Sequence, residues 1–255
     1  MAALGVVFAI AIVSAAAAAE PPSVTVLVPV VGSVAGISGI WKTDVELEND
    51  TPQDAVVALS LPTAPDQPTI ILTMPAGGVQ RFTDVVTEAF GIENALSPLR
   101  VTTLGKQSVH VRASVYAVRG SGVTRPEPIP ITYSDAYYPL RSLEGLSFSD
   151  TFRTNVGLAN LGESSASFTL ALQRLAGRNL AVARVTIPAN SLWHQSVQTL
   201  FPLITKGDDF TVVIETGSRD TYAYASVIDN VTSDARFIQP SIGAPTTQYA
   251  VREPQ

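Results

Sequence analysis

The sequence predicts an all-β protein made of two tandem β-sandwich domains, each with one short helix. Short β-branched segments separated by glycine- and proline-rich turns are typical of such folds. A second observation is an internal repeat, because residues 41–49 (WKTDVELEN) recur in outline as residues 152–160 (FRTNVGLAN). Thr43 and Thr154 are 111 positions apart, as are Asn49 and Asn160. A period of about 111 residues suits a complete domain better than a solenoid unit.

Residues 1–19 predict a secretory signal peptide. Their apolar run passes into five consecutive alanines before Glu20-Pro21-Pro22. The run is too short to span a bilayer as a helix, and the alanines favour cleavage after Ala19. An uncleaved N-terminal anchor is the alternative, because no basic residue precedes the apolar run. Both interpretations place the folded part outside the cytoplasm, as a secreted, periplasmic or cell-surface protein.

The composition restricts the classes of partner. Sixteen basic residues stand against 22 acidic ones, for a net charge of −6, and the basic residues form no cluster. This charge balance disfavours nucleic acid and anionic membrane surfaces as partners. We expect no nucleic acid partner and no membrane insertion after signal removal. The chain has no cysteine, so it has no disulfide and no thiol nucleophile. An exported chain without disulfides indicates a bacterial source.

The first domain is predicted over residues 20–133. Residues 23–31 are rich in β-branched side chains and predict a strand, which Pro29 would confine to an edge or an end. In residues 41–48 apolar and charged positions alternate, as in a half-buried strand. Thr83 or Asp84 can cap a short helix over residues 85–90, which Gly91 would end. Residues 32–39 predict a loop, and further strands are predicted over residues 55–61, 69–74, 99–103, 109–118 and 123–131.

The second domain is predicted over residues 134–241, with the same order of elements. Ser196 can cap a short helix over residues 197–201. Residues 242–255 contain two prolines and no apolar pattern, and they predict a disordered tail. Strands are predicted over residues 152–160, 166–173, 181–187, 222–227 and 236–238.

Three segments of the second repeat resemble a known protein family. They are residues 152–160 (FRTNVGLAN), 223–230 (AYASVIDN) and 237–240 (FIQP). They resemble the tandem β-sandwich repeats of predicted secreted proteins from acidobacteria and other soil and thermal bacteria, which are similar in outline to immunoglobulin-like modules. The resemblance covers most of residues 136–240, and the first repeat matches more loosely. It implies a fold and a location but no functional residue, since the family has no established activity.

No pattern in the sequence predicts a catalytic residue, a cofactor or a metal site. The two histidines, His110 and His194, fall at non-equivalent positions of the repeats, and no catalytic motif surrounds either one. Four carboxylates cluster in the first repeat at Glu46, Glu48, Asp50 and Asp54. We interpret them as a solvated strand face, with a calcium site as the alternative.

Tyrosines are the candidate partner-binding residues. Tyr222 and Tyr224 lie on one face of a predicted strand, where flat rings could stack on a sugar or a peptide. Tyr133, Tyr137 and Tyr138 cluster at the predicted domain junction, where packing between the domains explains them best.

These observations favour a non-enzymatic extracellular or periplasmic module that binds a protein or glycan at the cell surface or forms part of a surface structure. An alternative hypothesis is a subunit of a surface filament or adhesin that self-associates through exposed strand edges. A glycan hydrolase that uses carboxylates is a weaker third hypothesis.

Overall fold

A computed structural model describes residues 23–105, 108–133, 138–174 and 178–243. Strands make up 61% of the described residues and helices 5%, and every strand pair within them is antiparallel. The all-β prediction is therefore confirmed. The predicted signal peptide, Tyr137 and most of the predicted tail lie outside the described residues.

The described residues of the first half form ten strands and one helix. They are β1 Ser23–Ala35, β2 Ile40–Glu48, β3 Ala55–Ser60, β4 Ile70–Met74, β5 Val79–Phe82, α1 Val85–Phe90, β6 Ala95–Leu104, β7 His110–Arg119, β8 Gly122–Val123, β9 Glu127–Ile129 and β10 Thr132–Tyr133.

In the second half, residues 138–174 and 178–243 form nine strands and one helix. They are β11 Leu140–Phe148, β12 Phe152–Asn160, β13 Ala166–Gln173, β14 Asn179–Ile187, β15 Ser191–Ser196, α2 Val197–Leu200, β16 Gly207–Thr216, β17 Thr221–Asp229, β18 Ala235–Ile238 and β19 Ser241–Ile242.

Two runs of hydrogen-bonded strands recur in both halves. The first half has one sheet with the order β4-β3-β6-β1-β2-β7-β8, in which β5 also pairs with β2 and β9 with β7. The second half has two sheets, β14-β13-β16-β11-β19 and β15-β12-β17-β18. The order β4-β3-β6-β1 therefore matches β14-β13-β16-β11, and β5-β2-β7-β9 matches β15-β12-β17-β18.

Each half has its own cluster of buried apolar side chains. The first cluster includes Leu47, Leu59 and Leu99, from three strands of the first half. The second includes Leu158 and Leu170, one from each of the two sheets of the second half. Burying a leucine contributes roughly 1.5–3 kcal/mol relative to leaving it in water. These clusters are the main source of stability in each half.

Strand β1 differs from the sequence-based prediction. Pro29 was expected to lie in an edge strand or at a strand end, but β1 lies between β6 and β2 and continues past Pro29 to Ala35. The pairing with β6 shifts between Val28 and Val31, so the proline, which has no N–H to donate, lies in a bulge. The strand also continues through Gly32 to Ala35, into the segment predicted as a loop.

Both predicted helices are present. Asp84 caps α1, and Gly91 ends it with a φ of 67°. Ser196 caps α2, which ends at Leu200, one residue before the predicted end. At the C-terminal end, Ile242 pairs with Arg141 instead of beginning a disordered tail, because the edge of β11 offers it free backbone partners.

Candidate functional site

The second half has an aromatic layer on one face of the β15-β12-β17-β18 sheet. Gly157 of β12 pairs with His194 on one side and with Tyr224 on the other. The Tyr224 hydroxyl lies 2.9 Å from His194 Nδ1, so the two side chains meet across the glycine. A Cβ on Gly157 would collide with the Tyr224 ring. Gly157 is therefore what allows the ring to cross the central strand.

Both polar members of this layer are uncharged at neutral pH. Burial lowers the pKa of His194 to about 4 and raises the pKa of Tyr224, since a charged form is poorly solvated in the interior. The bond between them is therefore a neutral hydrogen bond.

Phe237 of β18 joins the aromatic layer to the first half. Its ring stacks on Tyr224, with the centroids 5.4 Å apart and the planes at 12°. It also packs against the first apolar cluster, and its backbone N–H donates to Glu127 Oε1 at 2.9 Å. Strands β15 and β17 also contact β6 and β1 of the first half. This face of the sheet is therefore covered by the preceding half of the chain.

Tyr224 differs from the sequence-based expectation of an exposed partner-binding residue. Its side chain is only 1% exposed, because the first half covers the strand face that the sequence pattern leaves open. An external sugar or peptide cannot stack on a ring that is already stacked on Phe237.

Polar contacts hold the two halves together on the side of the β17–β18 turn. Arg119 Nη1 donates to the backbone carbonyls of Val231 and Thr232, at 2.9 and 2.8 Å. The hydroxyls of Ser38 and Ser233 lie 2.8 Å apart. These contacts supplement the aromatic ones and fix the turn against the first half.

A cavity of about 200 Å³ lies where the two halves meet. Tyr222 lines it together with Tyr138, Leu27 and the buried Arg141. Burial raises the pKa of Tyr222. Arg141 Nη2 donates to the backbone carbonyl of Thr221 at 2.8 Å. Of the two tyrosines predicted to bind a partner, Tyr222 therefore lines a cavity at the junction between the halves, whereas Tyr224 is buried.

The equivalent sheet face in the first half carries charges. Glu46 of β2 lies between Arg81 of β5 and Arg112 of β7, with N···O distances of 2.6 and 2.7 Å. Arg112 also contacts Glu48 at 2.8 Å. The two arginines hold the pKa of Glu46 below its usual value. A groove of about 560 Å³ runs along this part of the sheet.

The remaining two carboxylates of the acidic cluster also have partners. Asp50 lies 2.9 Å from His110 Nε2, and Asp54 accepts the Ala76 N–H at 3.1 Å. Within the described residues, no group of three or more metal-ligating side chains converges. The structure therefore brings the cluster together with arginine, histidine and backbone donors.

Asp84 forms a buried polar centre that the sequence identified only as a helix cap. Its carboxylate is 3.0 Å from Lys42 Nζ and accepts hydroxyl hydrogen bonds from Ser33 at 2.9 Å and Thr87 at 3.0 Å. Asp44 in turn accepts the Asp84 N–H at 3.1 Å. Lys42 and Asp44 of the repeated segment thus fix α1 to the sheet, which gives them a structural role.

Sequence reasoning missed Phe237 as a contact between the halves and His194 as the partner of Tyr224. The available signal was the replacement of Glu46 by Gly157 at equivalent positions of the repeat. A glycine in a central strand often marks close approach by another group. That signal predicts a close contact at Gly157 but does not identify Tyr224 as the residue whose ring makes it.

Comparisons with known proteins do not assign a family. No protein-family model, curated protein or solved structure matches this chain. Within the part of the chain that the structure describes, no helix has both the length and the apolar character needed to cross a membrane.

Proposed function

We propose that this protein is a non-enzymatic binding and structural module that acts outside the cytoplasm of a bacterium, in the periplasm or at the cell surface. In this proposal residues 1–19 direct export. Residues 20–133 and 134–241 are two β-sandwich domains that arose by duplication of one unit. The matching strand orders and the two separate apolar clusters support the duplication.

The contact made by Phe237 is the observation that carries the proposal. A residue that stacks on Tyr224, packs on the first cluster and bonds Glu127 belongs to both halves at once. Such a contact fixes the relative orientation of the halves. A fixed orientation suits a protein that presents surfaces or spaces a partner, since an apolar contact between domains opposes hinge motion.

The pairing of the carboxylates with basic side chains favours a binding function over hydrolysis. A glycosidase needs two carboxyl groups that can exchange protons with a substrate across a cleft. Glu46 and Glu48 instead share Arg112, and the Asp84 carboxylate is saturated by Lys42, Ser33 and Thr87. These carboxylates are suited to holding structure and to presenting a charged surface.

Glycan and peptide arrays together with a broad hydrolase panel test this proposal. We expect the purified chain to bind one ligand class without turning over any substrate. Turnover of a glycan that is lost in Glu46→Gln and retained in Glu163→Gln would contradict it, since Glu163 is an exposed turn residue.

Phe237→Ala tests the fixed orientation. We expect small-angle X-ray scattering to show a larger radius of gyration for this variant than for the wild type. Leu203→Ala is the control, because Leu203 is 92% exposed. This variant should leave the radius of gyration unchanged. An unchanged radius in Phe237→Ala would contradict the proposed role of this contact.

Self-assembly through strand edges is a second candidate function. It is favoured by β14, a nine-residue edge strand that exposes Leu180 and Val182. Natural proteins usually protect long apolar edges, because an unprotected edge pairs readily with another chain.

A further inference from the structure

Lys42 and Asp84 place an amine against a buried carboxyl group. Lys42 Nζ lies 3.0 Å from Asp84 Oδ2, and the Asp84 side chain is only 3% exposed. An amine this close needs only a small rotation to approach the carbon Cγ, since reacting atoms in a near-attack geometry are about 3–3.5 Å apart. Effective molarities of roughly 10⁵–10⁸ M for such held pairs offset the unfavourable condensation of the same groups in water. The pair therefore has the geometry for amide formation as well as for an ion pair.

The Asp84 carboxyl group is held in one orientation. The hydroxyls of Ser33 and Thr87 donate to Oδ2 at 2.9 and 3.0 Å, and the Thr87 N–H donates to Oδ1 at 3.4 Å. The backbone of Asp84 is fixed as the cap of α1. Lys42 keeps 32% of its side chain exposed, so a water molecule formed at the pair has a route to solvent.

Asp44 supplies a second carboxylate beside the pair. It follows Lys42 by two positions in β2, so both side chains lie on the same face of the sheet. Its Oδ1 accepts the Asp84 N–H at 3.1 Å. Tyr116 lies opposite Lys42 on β7, and burial together with a hydrogen bond to Asp44 raises the pKa of Tyr116. Tyr116 is thus a protonated donor that positions Asp44, and a positioned carboxylate beside an amine can carry a proton.

We propose that an isopeptide bond joins Lys42 Nζ to Asp84 Cγ in the folded protein, with Asp44 as the proton carrier. One proton passes from Nζ to Oδ2 across the 3.0 Å contact, which leaves a neutral amine and a carboxylic acid. The Nζ lone pair attacks Cγ, and the negative charge that develops on Oδ1 faces the Thr87 N–H. A second proton reaches Oδ2 through Asp44, and Oδ2 leaves as water. One C–N bond replaces one C–O bond, without a change in oxidation state and without a co-reactant.

The bond would connect β2 covalently to the start of α1. The chain has no cysteine, so it lacks the disulfides that stabilise many exported proteins. A cross-link between residues 42 and 84 restricts the unfolded chain as a disulfide does. It would therefore stabilise the first half without any thiol chemistry.

The second half has the same arrangement without the reactive groups. Arg153 stands at the repeat position of Lys42, and Ser196 caps α2 as Asp84 caps α1. A guanidinium stays protonated and has no free amine, and a serine hydroxyl is no electrophile. The repeat thus supplies two matched substitutions, since Lys42→Arg keeps the positive charge and Asp84→Ser keeps a helix cap.

Mass spectrometry of the denatured chain tests the bond. We expect the wild type to be lighter than its sequence by one water molecule, about 18 Da. Lys42→Arg and Asp84→Ser should have their full sequence masses. Lys206→Arg is the control, because Lys206 lies 4.0 Å from a fully exposed Asp150, and this variant should keep the wild-type deficit.

Trypsin digestion of the wild type locates the bond without relying on any variant. Lys42 is the first basic residue of the chain, and Arg81 and Arg100 are the next two. Trypsin does not cleave after an acylated lysine. We therefore expect a peptide that ends at Arg81 and is uncut after Lys42, joined to residues 82–100.

Asp44→Asn tests the proton carrier. Removing a general acid–base group typically slows a reaction by about 10²–10⁴-fold. We expect the linked fraction in a time course of cell-free synthesis to rise at least about 100-fold more slowly than in the wild type. Equal rates would overturn the role of Asp44.

Two outcomes would overturn the bond itself. One is a wild-type chain of full sequence mass, with a tryptic peptide that ends at Lys42, which would leave Lys42 and Asp84 as an ion pair. The other is a mass deficit that persists in Lys42→Arg, because the water would then have been lost elsewhere in the chain.

Discussion

Asn49 and Asn160, 111 positions apart, make the same set of hydrogen bonds at the ends of β2 and β12. Each side-chain nitrogen lies 2.8–3.1 Å from three backbone carbonyls, and each side-chain oxygen accepts the N–H of the residue two positions ahead. The carbonyls belong to Gln53, Met74 and Pro75 in the first half and to Ser164, Ile187 and Pro188 in the second. The N–H donors are Thr51 and Gly162. The closing asparagine of the repeated segment thus joins the end of its own strand to the turn that follows. It also joins it to the end of β4 in the first half and of β14 in the second.

Replacing either asparagine should destabilise its own half. Both side chains are buried, so Asn49→Ala and Asn160→Ala each remove a buried hydrogen-bonding group that serves three carbonyls, at a cost of about 1–3 kcal/mol each. Asn→Asp should cost more, because a carboxylate would then face three carbonyl oxygens. Urea unfolding followed by tryptophan fluorescence measures the loss. Trp41 reports on the first half and Trp193 on the second, once the other is replaced by phenylalanine. Unchanged unfolding midpoints in both alanine variants would contradict the assigned role.

Gly157→Ala should destabilise the second half by about 1–3 kcal/mol, the usual cost of overpacking. The added Cβ collides with the Tyr224 ring, which is buried and has no room to move. In a Tyr224→Leu background the ring is gone, and the same substitution should cost little. A double-mutant cycle from thermal or urea unfolding measures this coupling. If the cost of Gly157→Ala is the same in both backgrounds, the collision with Tyr224 is not its cause.

Stability should fall between about pH 6.5 and pH 4 because of His194. The folded protein keeps this side chain neutral down to a pKa of about 4, whereas the unfolded chain takes up a proton near the ordinary value of 6.5. The depressed pKa means that the stabilisation is complete above pH 6.5 and is lost as the pH falls through this window. The total loss is about 3 kcal/mol, at about 1.4 kcal/mol per pKa unit.

The comparison of wild type with His194→Gln isolates this effect. The variant should show a flatter dependence of the unfolding free energy on pH between 6.5 and 4. His110→Gln is the comparison variant, since it removes the other histidine at an exposed position beside Asp50, away from the aromatic layer. An identical slope in His194→Gln and the wild type would show that His194 is not the group responsible.

Calcium should not stabilise the protein. Glu46, Glu48 and Asp50 are already paired with Arg81, Arg112 and His110, so a cation would have to displace these partners. We expect addition of calcium to shift the melting temperature by less than about 1 °C, as for a ligand that does not bind the native state. A rise of several degrees that a chelator reverses would restore the calcium alternative for this cluster.

Local patterns predicted most of the strands because alternation in the sequence reflects the two faces of a strand. The alternation in β2 predicted its buried row of Thr43, Val45 and Leu47. Thr83 or Asp84 was predicted to cap α1 and Gly91 to end it, and the structure selects Asp84 as the cap. Pro29 misled the prediction for β1, because a bulge can accommodate a proline inside a sheet and its presence depends on the neighbouring strand.

The sequence by itself determined the all-β class, the positions of most strands, the two helix caps and the repeated segment with its closing asparagine. All of these depend on residues that are close in sequence, or on two copies of one pattern. The tertiary structure decided that Tyr224 is buried, that Phe237 contacts both halves, and that the acidic cluster is paired with two arginines and a histidine. These facts depend on which face of a sheet meets which distant segment, and side-chain periodicity is the same for a face covered by protein and for a face covered by water.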